Sequence, residues 1–199
     1  MEDFCNAVNL CGTLAGRPVF SHNSKNEEFY TFPLEIVRLS GNADVINIIA
    51  DKKLLESAEI GDGDFVEVSG EVRSYNNKSG EGRKLIISVL AKRLAVTCGE
   101  DENSVVLQGA LCKPPVLRRT PMGRQICDMM LAVNRRYGKS DYIPCIAWGQ
   151  TAVDASELIV GDKIKLEGRL QSRKYIKTEN GETSERTAYE VSAVSIEKF

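Results

Sequence analysis

Residues 63–75, GDFVEVSGEVRSY, and residues 161–173, GDKIKLEGRLQSR, are two versions of one pattern set 98 positions apart. Val66, Val68 and Val72 alternate with polar neighbours in the first, and Ile164, Leu166 and Leu170 do so in the second. Alternation with a period of two marks a strand that has one face buried and one in water. Gly70 and Gly168 interrupt the two runs at equivalent points, where a strand curling into a small barrel needs a bend or bulge. The repeat extends outward: VNLCGTL at 8–14 matches VVLQGAL at 105–111, and DVINIIA at 44–50 matches DYIPCIA at 141–147, both at a spacing of 97. Two tandem domains follow, over 1–97 and 104–199, with the polar stretch 98–103 as their linker.

Each copy also carries one helical segment, DKKLLESAEI at 51–60 and QTAVDASELI at 150–159, which a glycine is expected to end. Hairpin turns are expected at NNKSGEG (76–82) and KTENGET (177–183). Five strands with one helix between the third and fourth describe an OB-fold, a partly open Greek-key barrel whose face commonly binds oligonucleotides. The expected fold class is therefore all-β, two OB-folds in tandem. Fold by itself does not decide function.

At 199 residues and 42% hydrophobic, the chain has enough apolar material for two cores. No apolar run reaches the length of a membrane-spanning helix, and the acidic start MEDFCNAVN is unlike a secretory signal, so a soluble cytoplasmic protein is expected. Cys5, Cys11, Cys98, Cys112, Cys127 and Cys145 form no CxxC pair, and His22 is the single histidine. That set is too poor for a zinc site and argues against histidine-based catalysis; reduced, mostly buried thiols are expected. With no nucleophile–base pair or phosphate loop recognisable either, the chain reads as a binding protein without metal or cofactor rather than an enzyme. The net charge of −2 hides a split, −4 over residues 1–100 and +2 over 101–199.

Three runs of the second copy are RTPMGRQICDMMLAVNRR (119–136), DYIPCIAWGQTAVDASELIVGDKIKLEGRLQSRKY (141–175) and YEVSAVSIE (189–197). As a set they resemble the bacterial single-stranded-DNA-binding proteins, the SSB family, in the order of strands, helix and hairpin over nearly all of 104–199. The resemblance implies a protein of DNA replication, recombination and repair that holds single-stranded DNA by stacking bases on four aromatic positions. Those positions fall on Tyr137, Tyr142, Trp148 and Tyr175, all of them aromatic here.

The residues can be read beside that resemblance. Tyr142 and Trp148 are six apart, which on an unbroken strand puts them on one face with Pro144 and Ile146, while Ile143, Cys145 and Ala147 make a core face. Taken alone, the chain's one tryptophan belongs as readily in a core; on an open sheet face it is a stacking platform. Lys113, Arg118, Arg119, Arg124, Arg135, Arg136, Lys139, Arg169, Arg173 and Lys174 are the candidate phosphate contacts.

The first copy departs from the pattern, with Ser40, Val45, Asp51 and about Asn77 at the four stacking positions and Glu71 in place of Arg169. It is expected to be a degenerate OB domain kept for architecture; a second site on its hairpin, through Arg73, Tyr75, Lys78, Arg83 and Lys84, is the alternative. SSB-family chains usually end in an acidic tip that closes on phenylalanine and recruits other enzymes. Here Phe199 follows no acidic run, so it is expected to end the last strand, and recruitment by that route is not expected. Since family members generally gather four OB domains, a chain with two is expected to form a homodimer, through edge strands near Val8–Leu14 and Val105–Leu111. A primosome-type interaction module and an RNA-binding OB protein are the competing readings.

Overall fold

The computed structural model describes residues 5–77, 85–135, 138–179 and 182–199. The first copy runs β1 (Asn6–Leu14), β2 (Val19–Ser24), β3 (Glu27–Val37), β4 (Ala43–Asp51), α1 (Lys52–Ala58), β5 (Phe65–Asn76) and β6 (Leu85–Val96). The second repeats it as β7 (Glu102–Leu111), β8 (Val116–Arg119), β9 (Gln125–Asn134), β10 (Ser140–Trp148), α2 (Gly149–Ser156), β11 (Lys163–Glu179) and β12 (Glu182–Lys198).

Each copy thus has six strands where five are expected. The extra one arises because the first barrel strand is broken, at AGRP (15–18) and at CKPP (112–115), where proline supplies no N–H to the ladder. β1 meets β3 only through Thr13↔Glu35 and Leu14↔Leu34, and β2 then continues along β3. Short parallel pairings, Ile48↔Val89 with Ile49↔Leu90 and Cys145↔Val191 with Ile146↔Ser192, complete the two Greek keys. Of the inward set, Leu10, Phe32, Leu34 and Ile46 in one copy and Leu107, Leu131, Ile143 and Leu166 in the other are at most 1% exposed. Burying each such side chain contributes about 1.5–3 kcal/mol.

The helices do not end on glycine. Glu59 closes α1 in the left-handed conformation, its N–H donating to the Leu55 carbonyl at 3.1 Å, and Glu157 closes α2. Gly61 and Gly161 belong to the turns that follow, where their N–H groups donate to Asp64 Oδ2 and the Leu111 carbonyl. The bulges expected at Gly70 and Gly168 are present as register shifts between Ser69 and Gly70 and between Glu167 and Gly168. A Cβ at Gly168 would overlap the Ser192 carbonyl oxygen on the facing strand. Gly168→Ala is therefore expected to destabilise the fold by about 1–3 kcal/mol, read as a lower urea midpoint.

The two copies share one sheet. β1 pairs antiparallel with β7, and Val8 lies opposite Val105, its own equivalent one repeat later, so a pseudo-twofold axis passes through that pair. The resulting order is β2-β3-β4-β6-β5-β1-β7-β11-β12-β10-β9-β8. This corrects the expected dimer contact: β1 and β7 are already joined within one chain, Asn6–Cys11 against Glu102–Leu107, and the ends of the sheet are β2 and β8. Among the described residues no helix is long and apolar enough to cross a membrane.

Candidate nucleic-acid interface

β10 builds the site by alternation. Ile143, Cys145 and Ala147 point into the barrel, while Tyr142 and Trp148 stand on the outer face, 51% and 40% exposed. The core alternative for Trp148 is thereby set aside. Six residues of strand separate the two rings by roughly 20 Å along β10. Ile146 shares their parity but is buried, a correction to its expected exposure: it sits mid-sheet, opposite Asp128 on β9 and Ser192 on β12, and forms floor rather than platform. Cys145 is fully enclosed below, and burial pushes its thiol well above the ordinary range, so it is inert packing.

Trp148 occupies the N-cap of α2 yet makes no side-chain capping bond. A good cap is worth about 0.5–2 kcal/mol, so a tryptophan here is a poor choice for helix stability and needs another reason. Tyr175 is half-buried in the β11–β12 ribbon, in register with Arg186 and five residues along β12 from the Cys145↔Val191 pairing, about 17 Å away. Tyr137 and Arg136 lie outside the described residues, as do Lys78, Arg83 and Lys84 of the first copy's hairpin.

The candidate cations divide by partner. Lys113, Arg119, Arg124, Lys139 and Arg169 are exposed and have no carboxylate partner among the described residues. Lys174 pairs with Glu185 at 2.9 Å, Arg173 approaches Glu190 at 4.0 Å, and Arg118 is held by Asp128 through Nε and Nη2, a hydrogen bond that pushes the guanidinium pKa further up. These are largely solvent-exposed pairs of small net worth, which a phosphate can displace.

Arg135 differs, and its expected phosphate role is corrected. Its Nε and Nη2 grip Asp141 at 2.7 and 2.5 Å, and Nη2 also donates to the Ser74 carbonyl at 3.0 Å. The Asp141 side chain is wholly buried and takes two further donors from the first copy: Arg73 Nη1 at 3.0 Å and the Ser74 N–H at 2.5 Å. The pseudo-twofold repeats the device. Asp44, also wholly buried, accepts from Arg38 Nε at 2.6 Å and Nη2 at 2.5 Å and from the Ser172 N–H of the second copy at 2.7 Å. A buried carboxylate is tolerated only when its lone pairs are filled in this way. Sequence reading missed both aspartates. The signal was available in the repeat itself, an arginine six residues before an aspartate in each copy.

The model of the single-strand binding protein family matches residues 102–199. The match covers the second copy, 98 of the 199 residues. Single-stranded DNA-binding protein A of Bacillus subtilis is 35% identical over 102 residues, 48% of this chain and 58% of that protein. Single-stranded DNA-binding protein 2 of Listeria innocua is 38% identical over 80 residues, 37% of this chain and 50% of that one. The chain thus spans about half the length of the curated relatives it matches. The crystal structure of wild-type single-stranded DNA binding protein from Thermus aquaticus superposes over 98% of this chain and 92% of its own, with a TM-score of 0.79 and 25% identity.

Against the copy that the family model matches, the first copy has the same frame with other contents. Val45 stands where Tyr142 does, and Asp51, in place of Trp148, caps α1 by accepting from the Leu54 N–H at 2.9 Å. Glu71, in place of Arg169, binds Arg73. Its aromatics lie elsewhere: exposed His22 stacks on half-buried Phe29 with ring centroids 5.1 Å apart, exposed Phe20 meets half-buried Tyr30 edge-on at 6.0 Å, and Tyr75 on β5 is exposed.

Proposed function

We propose that the protein binds single-stranded DNA, without catalysis and with little sequence preference, on the outer face of the second copy. One contrast carries this reading: Tyr142 and Trp148 are presented to solvent at positions where the same fold holds a valine and a capping aspartate. Every base has a π-face to offer such rings, and the cations around them supply phosphate contacts that read no sequence. The relatives' names, all single-stranded DNA-binding proteins, support the same ligand. Tyr137 and Tyr175 complete the proposed stacking set, with Lys113, Arg119, Arg124, Lys139 and Arg169 as the leading phosphate contacts. The first copy, over 1–97, serves architecture.

Titration with oligothymidine at several salt concentrations tests this directly. Trp148 is the only tryptophan, and its fluorescence is expected to be quenched by single strands and far less by duplex, whose bases are already stacked. Joint replacement of Arg119 and Arg124 by alanine is expected to lower the log–log salt slope by about 0.7 for each phosphate that is no longer neutralised. Equal quenching by duplex, or an unchanged slope, would count against the assignment. Two chains together present four OB-folds, and a homodimer is the proposed assembly, through a surface other than β1 and β7; light scattering distinguishes it from a monomer.

A further inference from the structure

We infer that the first copy positions the second copy's binding face, with Ser74 and Arg73 as the positioning residues for Tyr142. The inference rests on the DNA-binding reading above. Its ground is an edge left open by the sheet. β10 pairs with β9 along its whole length, from Ser140↔Asn134 to Trp148↔Ile126, but on its other side it meets β12 only at Cys145 and Ile146. The first residues of β10, including Tyr142, therefore have a backbone edge that no strand of their own barrel covers.

The first copy covers it. The Tyr142 N–H donates to Ser74 Oγ at 2.7 Å, the Ser74 N–H donates to Asp141, Arg73 Nη1 reaches the same carboxylate, and Arg135 returns a bond to the Ser74 carbonyl. All four bonds cross between the copies, and the first three end on the residue that carries the ring or on the one before it. A part-buried N–H deprived of its acceptor pulls the backbone toward any alternative, so the ring's direction depends on this clamp. An exposed ring held at its backbone also loses less freedom on stacking.

The pseudo-twofold provides a matched control. Ser172 Oγ accepts from the Val45 N–H at 3.0 Å, the same bond in the opposite sense, and Val45 presents no aromatic ring. Ser74→Ala and Ser172→Ala remove the same acceptor from equivalent positions, Ser172→Ala losing in addition a long donation to Asp44 at 3.4 Å, so a purely structural role makes Ser74→Ala no more damaging than Ser172→Ala. The experiment measures anisotropy of labelled oligothymidine with the full chain, beside urea unfolding of each variant. Ser74→Ala is expected to weaken binding about three- to tenfold, the range corresponding to one hydrogen bond, while Ser172→Ala binds as wild type at a similar loss of stability. Quenching of Trp148 at saturation should persist in both, since that ring stands at the far end of β10.

Arg73→Gln, which installs the residue that the repeat itself carries at Gln171, gives a second variant should Ser74→Ala fold poorly, and it too is expected to weaken binding. Equal effects of the two serine variants, or none from Ser74→Ala and Arg73→Gln, would overturn the inference. Absence of binding by the wild-type chain would instead remove the DNA-binding reading beneath it.

Discussion

Replacing Arg38 by alanine is expected to cost about 3–5 kcal/mol of folding stability, the range for a buried carboxylate stripped of its cation. Among the described residues Asp44 would keep the Ser172 N–H at 2.7 Å and its hydroxyl at 3.4 Å. The equivalent change at Arg135 should cost less, because Arg73 remains 3.0 Å from Asp141. The order of the two losses is the specific content: the copies are related by a twofold in backbone but not in charge, with Arg73 facing one aspartate and Gln171 standing at its equivalent position. Urea unfolding of the two variants under one set of conditions measures it. Equal losses would show that Arg73 does not share the load at Asp141.

Trp148→Ala is expected to weaken binding of oligothymidine by about 1–3 kcal/mol, the contribution of one base–aromatic stack, while leaving the fold intact. The ring is 40% exposed and provides no helix cap, so its removal opens no closed cavity and strips no capping bond. A tryptophan in a core would behave in the opposite way, losing about 3–5 kcal/mol of stability on truncation. Binding assays and thermal unfolding on the same variant separate the two outcomes. Unchanged affinity with a sharply lowered melting temperature would contradict the exposed geometry.

Much of the architecture was legible because it is written locally. Alternation along 66–72 and 164–170 is a property of the pleated backbone, whatever the strand packs against. The same parity argument separated Tyr142 and Trp148 from Ile143, Cys145 and Ala147, and the observed burial follows it. It failed at Ile146, because parity tells which face a side chain takes and not whether neighbouring strands leave that face open. The break of the first barrel strand at AGRP and CKPP was likewise present as proline, but its effect on strand count depends on where β3 and β9 lie.

Arg135 shows where local reading ends. In the sequence it is one of two adjacent arginines after a strand, and a phosphate contact is a fair expectation. In the structure its partner is Asp141, buried because Ser74 and Arg73 arrive from 67 and 68 residues away to complete the coordination. Two OB-like copies, their strand parity, the aromatic set and the cations near it are all legible along the chain, since each is set by spacing within a single element. That β1 and β7 join the copies within one chain, and that two aspartates are clamped between them, emerges only when the chain is folded, and so does the choice of arginines left for a ligand. The physical reason is that burial turns a charge from a surface property into one that must be neutralised by specific donors, and those donors come from the other copy, where no periodicity along the chain can reveal them.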